Sequence, residues 1–331
     1  DAFRERDVRL AVPALFAYAH YLEDELRLGE ALDVLETLLR AGADRLPPSD
    51  AIAAHLRIGR VNRKLNRFDE GDVAYLAAAE LAEAAGDVHS TLLSRVGRAI
   101  SIQTRGNLGE AERSFREISA EAQTLKEREI EAHAEHALGT TLLLRGKVAE
   151  GIPHVWRAFG LYEDESSHVR ALGDLGSMLL IIGEIAGAEG ALLQVVTRGH
   201  AMQDAVSNAM VELMHCASYQ RDRLGFERWR EGCEARMETM PPNILADFYL
   251  KAGLGRARFG QFDRAEALLR VALETADDAS LHELVFRIER IKNRLRDCQD
   301  ELSGYAQAAA ESVQYSESVR EISASLAQLS A

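Results

Sequence analysis

Apolar residues recur along most of the chain at spacings of three and four, and short polar turns interrupt them at nearly constant intervals. The stretch RGNLGEAERSF (105–115) is followed forty residues later by RGKVAEGIPHV (145–155). Alignment on the residue that opens the second helix of each unit gives seven anchors: Ala31, Gly71, Ala111, Gly151, Ala188, Trp229 and Ala265. A period of about forty residues that contains two helical segments predicts a stack of helical hairpins.

The residue types around each anchor can be explained by the turn and by helix packing. A turn residue lies five positions before the anchor in most units: Asn66, Gly106, Gly146, Gly183 and Gly260. A bulky residue lies four positions after it: Leu35, Tyr75, Phe115, Val155, Leu192 and Leu269. Glycine ends the first helix in the left-handed conformation, the small anchor lets the two helices approach closely, and the bulky residue extends one turn along the same face.

These units resemble tetratricopeptide repeats. The small residue near the middle of the family's first helix is matched by Gly59, Ala99, Gly139, Gly176 and Gly253, while the trailing proline survives only as Pro241 and the first-helix tryptophan is absent. The resemblance covers residues 12–275, with units longer than the family's 34 residues, as in bacterial regulatory arrays. It implies an all-α, right-handed superhelical solenoid of about seven helical hairpins with C-terminal capping helices.

The C-terminal tail is predicted as a separate segment. We expect a repeat domain over 1–303 and a further helix over 304–331, with a break at Gly304. In the tail, seven positions follow one another at gaps of three and four: Ala308, Ser312, Tyr315, Val319, Ile322, Leu326 and Leu329. This stripe has two interpretations. It covers the end of the last repeat as a cap, or it pairs weakly with another helix, including that of a second copy in a homodimer.

Composition narrows the function. Aromatic residues make up 6% of the 331 residues and only six are proline, which favours helix over sheet. The net charge of −14 argues against direct binding to nucleic acid. No apolar run approaches the roughly 20 residues that span a membrane. Cys216, Cys233 and Cys298 form no C-x-x-C pair, so we predict reduced thiols in a cytoplasmic protein.

The resemblance also implies that the first helix of each hairpin lines a concave groove. Its inward positions correspond here to Arg57, Arg60, Arg63, Lys64, His133, His136, Thr140, Arg170, Ser177, Arg221 and Lys251. The first four are a cationic cluster in an acidic protein, which suits an acidic protein or peptide partner. The alternative is a solvated helix face paired with Asp69 or Glu70. Two histidines three residues apart are too few for a metal site, so no metal or cofactor is expected.

Catalytic motifs are not evident. HELVFR (282–287) lacks the second histidine of a zinc protease helix, and GLGRAR (253–258) follows no predicted strand. We therefore predict a non-catalytic scaffold that holds a protein or peptide segment in its groove. The alternative is a sensory region of a bacterial transcription factor or signalling protein whose output domain lies outside this chain.

Overall fold

The computed structural model describes residues 8–42, 45–297 and 317–329, without the side chains of 294–297. In this part of the chain there are sixteen α-helices and no strand. They are α1 Val12–Asp24, α2 Leu28–Gly42, α3 Pro48–Lys64, α4 Phe68–Ala85, α5 Val88–Thr104, α6 Leu108–Leu125, α7 Arg128–Leu144, α8 Val148–Leu161, α9 Glu165–Ile182, α10 Ile185–Arg198, α11 Gln203–Tyr219, α12 Arg223–Glu234, α13 Pro242–Arg258, α14 Phe262–Asp278, α15 His282–Asp297 and α16 Glu317–Gln328. The all-α prediction is confirmed.

The chain divides into two compact units, Asp1–Arg145 and Gly146–Ala331. The first unit contains α1 to α7 and the second contains α8 to α16. Odd-numbered helices up to α13 are the first helices of the predicted hairpins, and even-numbered helices up to α14 are the second ones. Helix α15 is the further helix that follows the last predicted hairpin. None of the described helices is both long and apolar enough to cross a membrane.

The turns adopt the conformation that the repeat predicts. Asn66, Gly106, Gly146, Gly183 and Gly260 all have positive φ, between 59° and 87°. Leu26 and Arg221 also have positive φ, at 57° and 58°, although neither is a glycine. The turn between the helices of a hairpin therefore requires a residue in the left-handed conformation, and glycine adopts that conformation at the lowest steric cost.

Within a hairpin, a glycine of the first helix accepts the bulky side chain of the second helix. The contacts, measured from a Cβ atom built on the glycine, are Gly59 with Tyr75 at 2.8 Å, Gly176 with Leu192 at 2.6 Å and Gly253 with Leu269 at 3.1 Å. The partners are sixteen residues apart in each case. A real Cβ would overlap or crowd these side chains, so the small residue sets how closely the two helices approach.

The sixth unit departs from the predicted alignment. The left-handed residue Arg221 and the start of α12 at Arg223 place the anchor at Phe226 and not at Trp229. A phenylalanine thus occupies the position that other units give to alanine or glycine. A Cβ atom on Gly255 of α13 would overlap the Phe226 ring, so the neighbouring first helix supplies the space. The sequence alignment was wrong here because it placed Phe226 three positions before the anchor, where other units have Leu28 or Phe68.

The tail helix α16 packs chiefly on α10 and also on α8, both in the second unit. Val319, Ile322 and Leu326 of the predicted stripe are buried there, while Leu329 is exposed. These contacts are with second helices rather than over the last repeat, because α10 offers a close backbone approach at Gly187 and Gly190. The proposed break at Gly304 and the positions Ala308, Ser312 and Tyr315 lie outside the described residues.

Candidate functional site

Four cationic residues, Arg57, Arg60, Arg63 and Lys64, lie on the last two turns of α3 and form the α3 cluster. Their main acidic partner is Glu23 of α1, whose side chain is only 1% exposed. Nη2 of Arg60 donates to both carboxylate oxygens of Glu23, at 2.9 and 2.8 Å, and Lys64 Nζ lies 3.3 Å from Oε2. Asp69, which the alternative interpretation names as a partner, accepts from Arg105 at 2.9 Å.

The ion pair changes the protonation of Glu23. Burial on its own raises the pKa of this carboxyl group, but the hydrogen bond and charge of Arg60, followed by those of Lys64, outweigh it. The pKa of Glu23 therefore lies below its usual value, and the group is a carboxylate at neutral pH. One buried negative charge is thus shared by the positive charges of Arg60 and Lys64.

Arg57 is held differently. Its Nη1 donates to the backbone carbonyl of Phe16 at 3.0 Å, and its guanidinium lies over the Phe16 ring, 5.4 Å from the centroid. Burial, and then the nearby charge of Arg60, lower the pKa of Arg57. Among the described residues Arg57 has no carboxylate within ion-pair distance. Its charge is fixed in place and is only partly balanced.

Two further donors of the α3 cluster are unsatisfied. The Nε atoms of Arg60 and Arg63 are buried without a hydrogen-bond partner in the described part of the chain. Arg63 also hydrogen-bonds the phenol of Tyr75, whose pKa is raised mainly by burial. Buried donors normally have acceptors, so these two atoms are uncompensated within the described residues.

The α7 candidates are tied to their own surroundings. His133 Nε2 lies 3.7 Å from Glu129 Oε1 on the same helix. Thr140 Oγ1 donates to the carbonyl of Ala137 at 3.0 Å and accepts from Gln103 of α5 at 3.3 Å. His136 is half-buried on the same helix. Over the residues that the structure describes, no group of three His, Cys, Asp or Glu side chains is arranged to hold a metal ion.

In the second unit, Lys251 is buried rather than exposed to a groove. Its Nζ lies 2.6 Å from Glu212 Oε1 and 2.5 Å from Asp247 Oδ2, and these charges keep its pKa raised against the opposing effect of burial. Arg170 is exposed on α9, and Ser177 is half-buried. Arg221 was predicted to lie on a first helix, but it lies in the turn before α12.

A second polar cluster on α11 and α13 was missed. Arg258 Nη1 donates to Ser218 Oγ at 2.7 Å and lies 3.2 Å from His215 Nδ1, while its guanidinium lies over the Tyr219 ring at 3.7 Å. Burial, followed by the charges of Arg258, Lys251 and Arg287, lowers the pKa of His215 well below its usual value.

The separation along the sequence could have predicted which polar residues contact each other. Glu23 and Arg60 are 37 residues apart, Glu212 and Lys251 are 39 apart, and His215 and Arg258 are 43 apart. Each separation is close to one repeat. Polar side chains of consecutive first helices, about one repeat apart in the sequence, therefore contact each other.

Comparison with known proteins supports the fold. No protein-family model and no curated protein sequence matches the chain. Among solved structures, Aspartyl phosphate phosphatase F from Bacillus subtilis aligns with a TM-score of 0.58 at 15% identity, covering 81% of this chain and 70% of that one. A Rap protein complexed with Competence and Sporulation Factor gives 0.55 at 14% identity, covering 86% and 74%.

A third structure has the repeat in its description. A tetratricopeptide repeat protein from Parabacteroides merdae aligns with a TM-score of 0.50 at 13% identity, covering 85% of this chain and 99% of that one. At such identities the similarity concerns the fold. Together with the left-handed turns and the interlocking glycines, it shows that this chain has the tetratricopeptide-repeat type of helical fold.

Proposed function

We propose that this chain is a non-catalytic scaffold that binds an acidic protein or peptide segment, with the α3 cluster as its anchor. The observation that carries the proposal is the charge balance. Arg60 and Lys64 share one buried carboxylate, that of Glu23, and Arg57 has no ion-pair partner among the described residues. A carboxylate from a partner would supply the missing negative charge.

The geometry favours a carboxylate over a generic anion. A guanidinium presents donors in a planar fork that matches the two oxygens of a carboxylate, and the Phe16 ring and carbonyl hold the guanidinium of Arg57 in place. Lys251 is not included in the proposed site, because Glu212 and Asp247 already surround its ammonium group. Arg170 and Ser177 are exposed or half-buried, and they remain candidates for a weaker contact in the second unit.

The test uses a fluorescein-labelled octaglutamate peptide and the matched octalysine peptide. The variant Arg57→Gln with Lys64→Gln keeps the Arg60 contact to Glu23, so we expect it to fold and to bind octaglutamate about tenfold more weakly, as loss of about 1.4 kcal/mol implies. Arg113→Gln changes an exposed arginine of α6 by the same chemistry and serves as the control. Equal affinity of the double variant and the control would reject the α3 anchor. If this chain released phosphate from an aspartyl-phosphorylated protein, the proposal that it is non-catalytic would be contradicted.

The second candidate is a regulatory region whose output domain lies elsewhere in the gene product. The observation in its favour is the similarity to the Rap protein that is complexed with Competence and Sporulation Factor. A sensor must transmit occupancy, so octaglutamate bound at α3 should change amide hydrogen exchange in the second unit. Exchange that changes only in α1 to α4 would favour the plain scaffold.

A further inference from the structure

The surface of α10 carries a groove whose depth comes from two glycines, and we call it the α10 groove. A Cβ atom on Gly187 would lie 2.7 Å from the Cα atom of Ser323, and one on Gly190 would overlap the carbonyl of Leu326. Both contacts are with the backbone of α16, so no rotation of a side chain could relieve them. Any larger residue at Gly187 or Gly190 would therefore hold α16 away from α10.

The helix that fills this groove is amphipathic. Val319, Ile322 and Leu326 are 0%, 6% and 0% exposed and form its buried stripe. Six polar residues of α16 lie on the exposed side: Glu317, Ser318, Arg320, Glu321, Ser325 and Gln328. Burying three such aliphatic side chains stabilises the contact, and the cost of ordering the helix opposes this gain.

Polar contacts also fix the position of α16 in the groove. Ser323 Oγ donates to Glu184 Oε2 at 2.8 Å, at the residue before α10. Gln194 Nε2 donates to the backbone carbonyl of Leu329 at 2.8 Å, just beyond the end of α16. The last carbonyls of a helix have no partner within the helix, so Gln194 satisfies one that would otherwise need water. The groove thus recognises an end of a helix as well as its apolar face.

The helix and the groove are distant in sequence. Helix α16 begins 127 residues after Gly190, and it makes its main contacts with α10 and α8. A helix of twelve residues is marginal on its own in water, so α16 is expected to be helical only where it is docked. These are the properties of a peptide ligand that is tethered to its binding site.

We propose that the α10 groove is a helix-binding site in which α16 is an exchangeable ligand, so that α16 of a second copy can replace that of the same chain. Exchange between two copies would give a domain-swapped dimer with the same contacts as in the single chain. The partner class is an amphipathic helix with a Val, Ile and Leu stripe and small residues at the positions of Ser323 and Ala327. This surface is separate from the α3 cluster.

The experiment mixes two full-length variants that each lack one half of the contact. Gly190→Leu closes the groove but leaves α16 intact, whereas Ile322→Asp with Leu326→Asp leaves the groove open and removes the stripe. We expect each variant alone to be a monomer by light scattering, and an equimolar mixture to form a complex of twice the mass. In the control mixture Gly109→Leu, at an exposed α6 glycine with free space around it, replaces Gly190→Leu. This mixture should yield less complex, because α16 of the Gly109→Leu chain still occupies the α10 groove of the same chain.

A second readout uses the labelled synthetic peptide of residues 317–331. It should bind the Ile322→Asp, Leu326→Asp chain at least about tenfold more tightly than the wild type, whose groove is filled. Addition of Gly190→Leu to that chain should abolish the binding. A folded stripe variant that binds neither the peptide nor the Gly190→Leu chain would overturn the proposal. Loss of the folded second unit in the stripe variant would overturn it as well, because α16 would then be a permanent part of the core.

Discussion

Arg60 and Glu23 connect two consecutive first helices through a single nitrogen: Nη2 of Arg60 donates to both oxygens of the Glu23 carboxylate. The carboxylate is buried, whereas 43% of the arginine side chain is exposed. The pair therefore neutralises a charge that the interior of the first unit could not hold alone. It also means that part of the α3 cluster stabilises the fold, and only the remainder is available to a partner.

The first prediction concerns this pair. Arg60→Met should lower the free energy of unfolding by about 1–3 kcal/mol, because Glu23 keeps only the longer contact with Lys64. The folded-state pKa of Glu23 lies below its reference value of 4.5, so its stabilising effect is present above that pH and is lost as the pH falls below it. Urea unfolding should therefore show the gap between wild type and variant at pH 7 and a smaller gap near pH 3.5. A gap that does not depend on pH would mean that the charge of Glu23 is irrelevant.

The second prediction uses two glycines of α9 that are one turn apart. Gly176→Ala should destabilise the protein by about 1–3 kcal/mol, since its Cβ would lie 2.6 Å from Cγ of the buried Leu192. Gly173→Ala meets nothing within 4 Å and should be neutral or stabilising by up to about 1 kcal/mol through helix propensity. Thermal unfolding of the two variants measures the difference. If both shifts had the same sign, the interlocking of α9 and α10 would not depend on the small residue.

The repeat could be predicted from sequence because its determinants are local. Asn66 and Gly106 identify turns by their own backbone preferences, and Gly59 indicates close packing without knowledge of its partner. The partner of Arg60 could not be predicted in this way. Asp69 and Glu70 are nearer in sequence, and only the stacking of α1 on the next hairpin brings Glu23 into reach. The position of α16 likewise depends on tertiary packing, because its apolar stripe could fit any apolar groove of suitable depth.

The third prediction concerns the unusual anchor Phe226. Phe226→Ala should cost about 3–5 kcal/mol, although it restores the small residue that other units have, because the α13 surface at Gly255 is shaped around the ring. Gly255→Ala should cost about 1–3 kcal/mol in the wild type but much less in the Phe226→Ala background, where the ring is gone. A double-mutant cycle measured by urea unfolding gives the coupling. Additive costs would show that the two positions do not share this space.

The last prediction is a pH dependence from His215. The ring is buried beside Arg258, Lys251 and Arg287, so its pKa in the folded protein is well below the reference value of 6.5. Below pH 6.5 the unfolded chain takes up a proton that the folded protein does not, and stability should fall by up to about 1.4 kcal/mol per pH unit. His215→Asn should keep an acceptor for Arg258 and remove this slope between pH 7 and 5.5. His200→Asn, at an exposed residue, is the matched control for the loss of a histidine. An unchanged slope in His215→Asn would show that the folded protein can protonate His215, and that Arg258 does not hold it neutral.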